Sequence, residues 1–278
     1  MTVISEASTS KYVMAGDVKI HYNEIGTGPA IICLNGAGPG ASSWSNFQHN
    51  VEAFSRAHRV LLVDMPQYGK SAKIPIEFPK LTNLARIIRD FMDAIGLDRA
   101  HFVGNSFGGQ AALKTAIDYP GRVGHLVMIG SAPVSFSLFS PQPVEGVKLI
   151  GGYYKGEGPS LEKMRKVLTT LVYDASRITD EIVQARYEAS IDPEAIRVHS
   201  LPAPKKQDLT PELGSVKSPT LVVWGMDDRA GALDVGLIMT RLIPNAQMHI
   251  FNNCGHWAQV EHAAEFSALV LGFFATTP

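Results

Sequence analysis

The strongest constraint on the fold is a series of short, mostly apolar runs that each end in a turn. Ala30–Leu34 (AIICL) closes on NGAGPGASS, Arg59–Asp64 (RVLLVD) on MPQYGKS, and Ala100–Val103 (AHFV) on GNSFGG. Val123–Ile129, Thr220–Trp224 and Met248–Phe251 have the same character. Runs that are apolar on both faces suit strands of a parallel sheet covered by helices. Helical periods fall between them. Leu81–Ile95 places Leu84, Ile87, Ile88, Phe91 and Ile95 on one stripe, and Gly96 closes it as a C′ glycine would. Gln110–Tyr119 is stopped by Pro120, and Gly236–Leu242 and Glu261–Phe274 read as further helices. Lys11–Ala15 and Val18–Tyr22 flank Gly16-Asp17 as a hairpin. The alternation of strand, turn and helix predicts an α/β protein with right-handed crossovers.

One stretch breaks that rhythm. From Pro133 to Leu209 there is no strand run; Val144–Tyr154, Leu161–Tyr173 and Asp180–Ala189 read as helices separated by FSPQP, GEGPS and LPAPKK. The expectation is a core formed by residues 1–133 and 210–278, with 134–209 inserted as a helical cap over the carboxyl ends of the strands. Ligands bind at those ends in open α/β sheets.

Composition excludes several functions. A net charge of −1, from 25 Lys+Arg against 26 Asp+Glu, gives no electrostatic case for a nucleic acid or anionic membrane partner. Two cysteines, Cys33 and Cys254, indicate no disulfide framework. MTVISEASTS lacks a basic segment followed by an apolar run, and the apolar stretch around Leu269–Ala275 is too short to span a bilayer. A cytoplasmic protein is expected.

Gly104-Asn105-Ser106-Phe107-Gly108 fits G-x-S-x-G between a strand run and a helix run, the context of a nucleophile elbow. Alone it is also an ordinary glycine turn. A serine needs a base, and the base an orienting acid. His256 follows the last strand in Asn253-Cys254-Gly255-His256-Trp257, and Asp228 follows the strand before it, with Asp227 as competitor. The order Ser106, Asp228, His256 is that of α/β-hydrolases. Donors for an oxyanion would be the Phe107 N–H and one from Ala37 or Gly38 in Asn35-Gly36-Ala37-Gly38-Pro39-Gly40. No Gly-Lys-Ser/Thr follows that loop, so it is not a P-loop.

With these residues in view, the chain resembles the meta-cleavage-product hydrolases of the α/β-hydrolase superfamily, which hydrolyse carbon–carbon bonds of ring-opened aromatic compounds. The matching segments are GAGPGASSWSNF (36–47), GNSFGG (104–109), LVYDASRITDEIVQARYEA (171–189), WGMDDR (224–229) and CGHWAQ (254–259). The resemblance implies a mostly parallel eight-stranded sheet with a cap, no cofactor or metal, a small anionic substrate, and a homodimer or higher oligomer. It implies that Asn46, Asn105, Arg186 and Trp257 contact a dienoate, that Arg186 pairs its carboxylate and that Ser176 assists. It also implies that Leu171 faces the variable acyl group and that Cys254 lines the site.

Four of these have a plainer reading: Arg186 on an exposed helix face, Asn46 as a helix cap, Trp257 as core and Cys254 as an inert thiol. The chain departs from the family in having Asn35-Gly36 for His-Gly, Pro66-Gln67 for Pro-Gly, and Ala230-Gly231-Ala232 where a proline usually follows the Asp-Arg pair. An esterase, lactonase or amide hydrolase acting on another carboxylated catabolite with the same triad is the alternative activity. A non-catalytic binding protein on the same fold is the third reading.

Overall fold

Every predicted strand run forms a strand; the central ones, such as Ala30–Leu34, Val123–Ile129 and Thr220–Gly225, are buried on both sides, whereas the outer ones are only partly covered. The computed structural model describes residues 4–140, 144–202 and 205–276, so parts of FSPQP and LPAPKK lie outside the described residues. The strands are β1 (Ser10–Ala15), β2 (Val18–Ile25), β3 (Ala30–Leu34), β4 (Arg59–Val63), β5 (Ala100–Asn105), β6 (Val123–Ile129), β7 (Thr220–Gly225) and β8 (Ala246–Phe251). They form one sheet in the order β1-β2-β4-β3-β5-β6-β7-β8. The β1–β2 and β2–β4 pairs are antiparallel, and all others are parallel.

The helices are α1 (Glu6–Thr9), α2 (Ser43–Phe47), α3 (Val51–Ser55), α4 (Lys80–Ala94), α5 (Phe107–Asp118), α6 (Glu145–Gly152), α7 (Leu161–Thr170), α8 (Asp180–Ser190), α9 (Pro193–His199), α10 (Leu233–Leu242), α11 (Ala258–Glu261) and α12 (Ala263–Phe274). Successive residues of β3 enter opposite cores, as a pleated strand requires. Ile32 and Leu34 pack with α4, α5 and α10 through Leu84, Ala112 and Met239. Ile31 and Cys33 pack with α3 and α12 through Phe54, Phe266 and Val270.

Between β6 and β7 the described residues hold helices and no strand. A third core of Tyr153, Met164, Val167, Leu168, Leu171 and Val183 holds α6, α7 and α8 together, with Trp257 packed against it. The Leu209 N–H donates to the Pro133 carbonyl at 3.1 Å, so the two ends of the helical segment meet.

Two details differ from expectation. Helix α9 was not predicted; Asp192 caps it by accepting the Ala195 N–H at 2.9 Å, and Pro193 occupies its first turn. The terminal helix breaks at His262 (φ −119, ψ 43) into α11 and α12. The break lets Glu261 face the loop before α11 instead of continuing a helical stripe. No helix among the described residues is long and apolar enough to cross a membrane.

Candidate active site

Ser106 sits where β5 turns into α5, with φ 52 and ψ −116, a conformation that costs a non-glycine residue on the order of 1–3 kcal/mol. The elbow holds because its neighbours have no side chains. A β-carbon on Gly104 would lie 2.4 Å from the Gly109 nitrogen, and one on Gly108 2.3 Å from the Leu34 carbonyl oxygen. The Ser106 N–H donates to the Ile129 carbonyl at 2.7 Å. Phe107 is the first residue of α5, so its N–H has no partner within the helix.

The candidate acid, Asp228, and candidate base, His256, come from adjacent turns beyond β7 and β8. These turns pass backbone against backbone: Asp227 N–H donates to the Cys254 carbonyl at 2.9 Å, and a β-carbon on Gly225 would strike the Gly255 carbonyl. Asp228 Oδ2 lies 2.8 Å from His256 Nδ1, with both side chains at most 5% exposed. Asp228 Oδ1 accepts the Ala230 and Gly231 N–H groups at 2.7 and 2.8 Å, so the carboxylate is held at both oxygens. Asp227 is exposed. Among the described residues no hydrogen bond joins His256 to Ser106. Both line one chamber, and such bonds are often loose before substrate binds.

That chamber is tight, with about 30 Å³ free, and brings together Gly36, Ala37, Gly38, Asn46, Asn105, Ser106, Leu171, Arg186, His256 and Trp257. Asn46 Oδ1 accepts the Gly36 N–H at 3.1 Å, and Asn105 Nδ2 reaches the His256 carbonyl at 3.3 Å. Besides lining the chamber, Asn46 thus ties down the glycine loop and Asn105 the His256 loop. Asn35 does the same from beneath. Fully buried, it donates to the Gly36 carbonyl at 3.0 Å and accepts the Met65 N–H at 3.1 Å.

Arg186 decides the character of the chamber. It is buried, not on an exposed face. Its Nη1 donates to Ser45 Oγ at 2.8 Å, its guanidinium carbon lies 5.8 Å from the Trp257 ring centroid, and its Nε has no partner among the described residues. No carboxylate pairs with it among the described residues. Burial lowers its pKa to about 10. An arginine buried without a counter-ion is poised for an anion.

Two expected contacts are not made. Ser176 is exposed, and its hydroxyl donates to Asp174 Oδ1 at 2.6 Å, because it belongs to a one-turn helix at the surface. Cys254 does not line the chamber. It is fully buried in the core of α3 and α12, and burial raises the pKa of its thiol. Leu171 does line the chamber, and its carbonyl accepts the His256 N–H at 2.9 Å.

Three contributors were not foreseen. Gly130 (φ 54) leaves room for the acid–base pair, since a β-carbon there would lie 2.7 Å from His256 Nδ1. Glu261 accepts the Gly255 N–H at 2.7 Å and the Tyr173 N–H at 2.8 Å, tying the histidine loop to the helical segment. Its signal was the single carboxylate of HWAQVEH (256–262). Lastly, Ser106 also borders a second cavity of about 450 Å³, lined by Gln110, Ala132, Val134, Phe136, Val144, Val147, Lys206, Ala230 and Val235 among others. The serine thus stands between a small chamber that holds Arg186 and a larger one that does not.

Comparison with known proteins agrees with this architecture. A family profile for the α/β hydrolase fold matches residues 29–263. The 2-hydroxy-6-oxononadienedioate/2-hydroxy-6-oxononatrienedioate hydrolase of Paraburkholderia phymatum is 45% identical, covering 97% of this chain and 96% of its own. The 2-hydroxy-6-oxo-6-phenylhexa-2,4-dienoate hydrolase of Burkholderia cepacia is 43% identical, with 99% of each chain covered. Among solved structures, the meta-cleavage product hydrolase CumD of Pseudomonas fluorescens IP01 superimposes with a TM-score of 0.87 at 33% identity, covering 96% of this chain and 98% of its own. With that identity running over nearly the whole length, the chain belongs to the α/β hydrolases, in their meta-cleavage-product hydrolase family.

Proposed function

We propose that the protein hydrolyses the carbon–carbon bond of a 2-hydroxy-6-oxo-dienoate formed by ring cleavage of an aromatic compound, releasing a carboxylic acid and a 2-hydroxydienoate. The observation that carries this is Arg186: an unpaired, buried cation in the same chamber as Ser106 and His256. A simple esterase has no use for a buried positive charge beside its nucleophile. A dienoate brings the carboxylate that the charge lacks.

In this reading Arg186 binds the dienoate carboxylate, with Asn46, Asn105 and Trp257 around the dienol. The substrate first becomes its keto tautomer, the 2-hydroxyl proton moving to C5 through His256. This step matters because a bare carbanion is a poor leaving group, whereas C5 can then leave as part of an enolate. Asp228 holds His256 by Nδ1, which leaves Nε2 to take the Ser106 proton. Ser106 Oγ attacks C6, and the Phe107 N–H with that of Ala37 or Gly38 stabilises the oxyanion. The C5–C6 bond breaks, its electron pair enters the enolate, and the proton on His256 completes the dienol. Water, deprotonated by His256, then hydrolyses the acyl-serine ester.

Residues 134–209 act as the cap: Ile150, Leu171 and Arg186 close the chamber from above, and the small free volume requires the cap to lift for a dienoate to enter. A cytoplasmic location accords with two free, buried cysteines, and the family resemblance supports a homodimer or higher oligomer.

The test is a panel of yellow dienols and aryl esters offered to the purified protein. Rapid bleaching of at least one dienol, well above any ester turnover, is expected. Ester turnover without dienol bleaching contradicts the reading.

A further inference from the structure

A third cavity, of about 320 Å³, backs onto the catalytic chamber without reaching Ser106. Trp44, Leu168, Val172, Ile182 and Ala185 give it apolar walls. Ile182 and Ala185 are exposed, so it opens to solvent. Among the described residues only Arg186 and Trp257 line both spaces. The partition between them is therefore two side chains thick at most.

The guanidinium spans that partition. Its Nη1 donates at 2.8 Å to Ser45 Oγ, and Ser45 lines the outer cavity but not the chamber. Its Nη2 faces Gly38, which lines the chamber but not the outer cavity; a β-carbon there would lie 3.1 Å from it. The bond to Ser45 is the one hydrogen bond of this side chain among the described residues, and no carboxylate pins it on either side. A planar fork of donors held so lightly can grip a carboxylate from the chamber or from the cavity. No unpaired acid lines the outer cavity, since Glu6 is paired with Lys70 at 2.7 Å.

The order of bond breaking gives a second opening its use. Once the carbon–carbon bond is broken, the acyl group is an ester on Ser106. The 2-hydroxydienoate lies on the Arg186 side of that ester, in a chamber with about 30 Å³ free, and its way back past Ser106 is occupied. We infer that the 2-hydroxydienoate leaves through the outer cavity while Ser106 is still acylated, Arg186 swinging outward with the carboxylate in its grip. This door rests on the proposed function, so its test includes a readout that needs no turnover. A door sets rates of passage and not the depth of the site. Narrowing it raises the barrier equally in both directions, so association and dissociation slow together while Kd stands.

The probe is 2-hydroxypenta-2,4-dienoate, the simplest such product, with its exchange on Ser106→Ala protein followed by stopped-flow tryptophan fluorescence. Ala185→Phe extends a ring into the outer cavity from an exposed helix position. It should slow association and dissociation about tenfold each and leave Kd within about twofold. With Ser106 intact, the same variant should bleach a first equivalent of dienol at the wild-type rate and slow in the turnovers that follow. Ala185→Ser should change neither. Val147→Phe, in the cavity beyond Ser106, should leave dienoate exchange at the wild-type rate. Exchange that Ala185→Phe leaves within about twofold of wild type, or that Val147→Phe slows as much, overturns the door. So does a loss of affinity that accounts for the slowing, or failure of the dienoate to bind at all. Absence of dienol bleaching by wild type would instead contradict the proposed function, while the exchange rates still decide the door.

Discussion

Replacing Arg186 with methionine should damage activity and improve the stability of the free protein at the same time. Methionine keeps most of the aliphatic stem and removes the charged head, which lies 5.8 Å from the Trp257 ring centroid. In the free protein that head is a liability. Burial holds its pKa near 10, well under the ordinary guanidinium value. At ~1.4 kcal/mol per decade this corresponds to a cost of roughly 3 kcal/mol for keeping the charge inside, fully present at every pH below the folded value. The hydrogen bond to Ser45 offsets part of it. Arg186→Met should therefore raise Tm by several degrees, at about 2–4 °C per kcal/mol recovered.

The bound state reverses the sign. The substrate carboxylate loses its only buried counter-charge, a loss of about 2–5 kcal/mol in comparable pairs, so kcat/KM should fall roughly 10²–10³-fold. The assays are thermal unfolding without substrate and dienol bleaching. A variant that unfolds at lower temperature than wild type, or keeps a third of the wild-type kcat/KM, refutes the argument that this charge is unpaired for the substrate's sake.

Other perturbations have equally definite outcomes. Gly130→Ala places a methyl 2.7 Å from His256 Nδ1 and should lower kcat about 100-fold through displacement of the base, measured beside a circular dichroism spectrum that stays close to wild type. Glu261→Leu leaves the Gly255 and Tyr173 N–H groups unpaired, so Tm should fall by an amount equivalent to about 1–3 kcal/mol for each group, and kcat should fall with it. The His101 ring packs face to face with Phe274 at 4.4 Å, and burial lowers its pKa to about 4. Its unfolded form binds a proton more readily, so stability is intact above the ordinary histidine value and declines as pH falls from about 6.5 towards 4. Tm measured across that window should drop less for His101→Phe than for wild type.

Much of this architecture is legible in the chain because parallel strands buried on both faces leave continuous apolar runs. Val123–Ile129 was readable in full for that reason, and every residue in it is buried. Ser106, Asp228 and His256 could be singled out as candidates because the motif, the loop positions after successive strands and the chain order are independent constraints, and the structure brings the three together. Arg186 was ambiguous from local pattern alone, since a charged residue near Glu188 on a helix reads as exposed; only the packing of α8 against the Gly38–Gly40 backbone buries it.

Short helices were the weakest reading. Helix α9 has two turns, too few for a period, and its Asp-Pro start was the available signal. Ser176 and Cys254 were carried by resemblance and not by any pattern in their neighbourhoods, and both point elsewhere. Gln67 is a different kind of surprise. It occupies a left-handed position (φ 80) where glycine is usual, held by its side-chain bonds to the Ile74 carbonyl and the Lys80 ammonium at 2.9 and 3.2 Å. Such compensation comes from residues distant in sequence and leaves no local trace.

The central claim is that Ser106 breaks the carbon–carbon bond while the rest of the site holds the dienoate. It is tested most directly by mixing excess Ser106→Ala protein with one equivalent of a dienol that wild type bleaches. The account predicts a bound, coloured species that persists long after wild type has converted the same substrate to acid and hydroxydienoate. Release of both products by Ser106→Ala at a rate near that of wild type would contradict it.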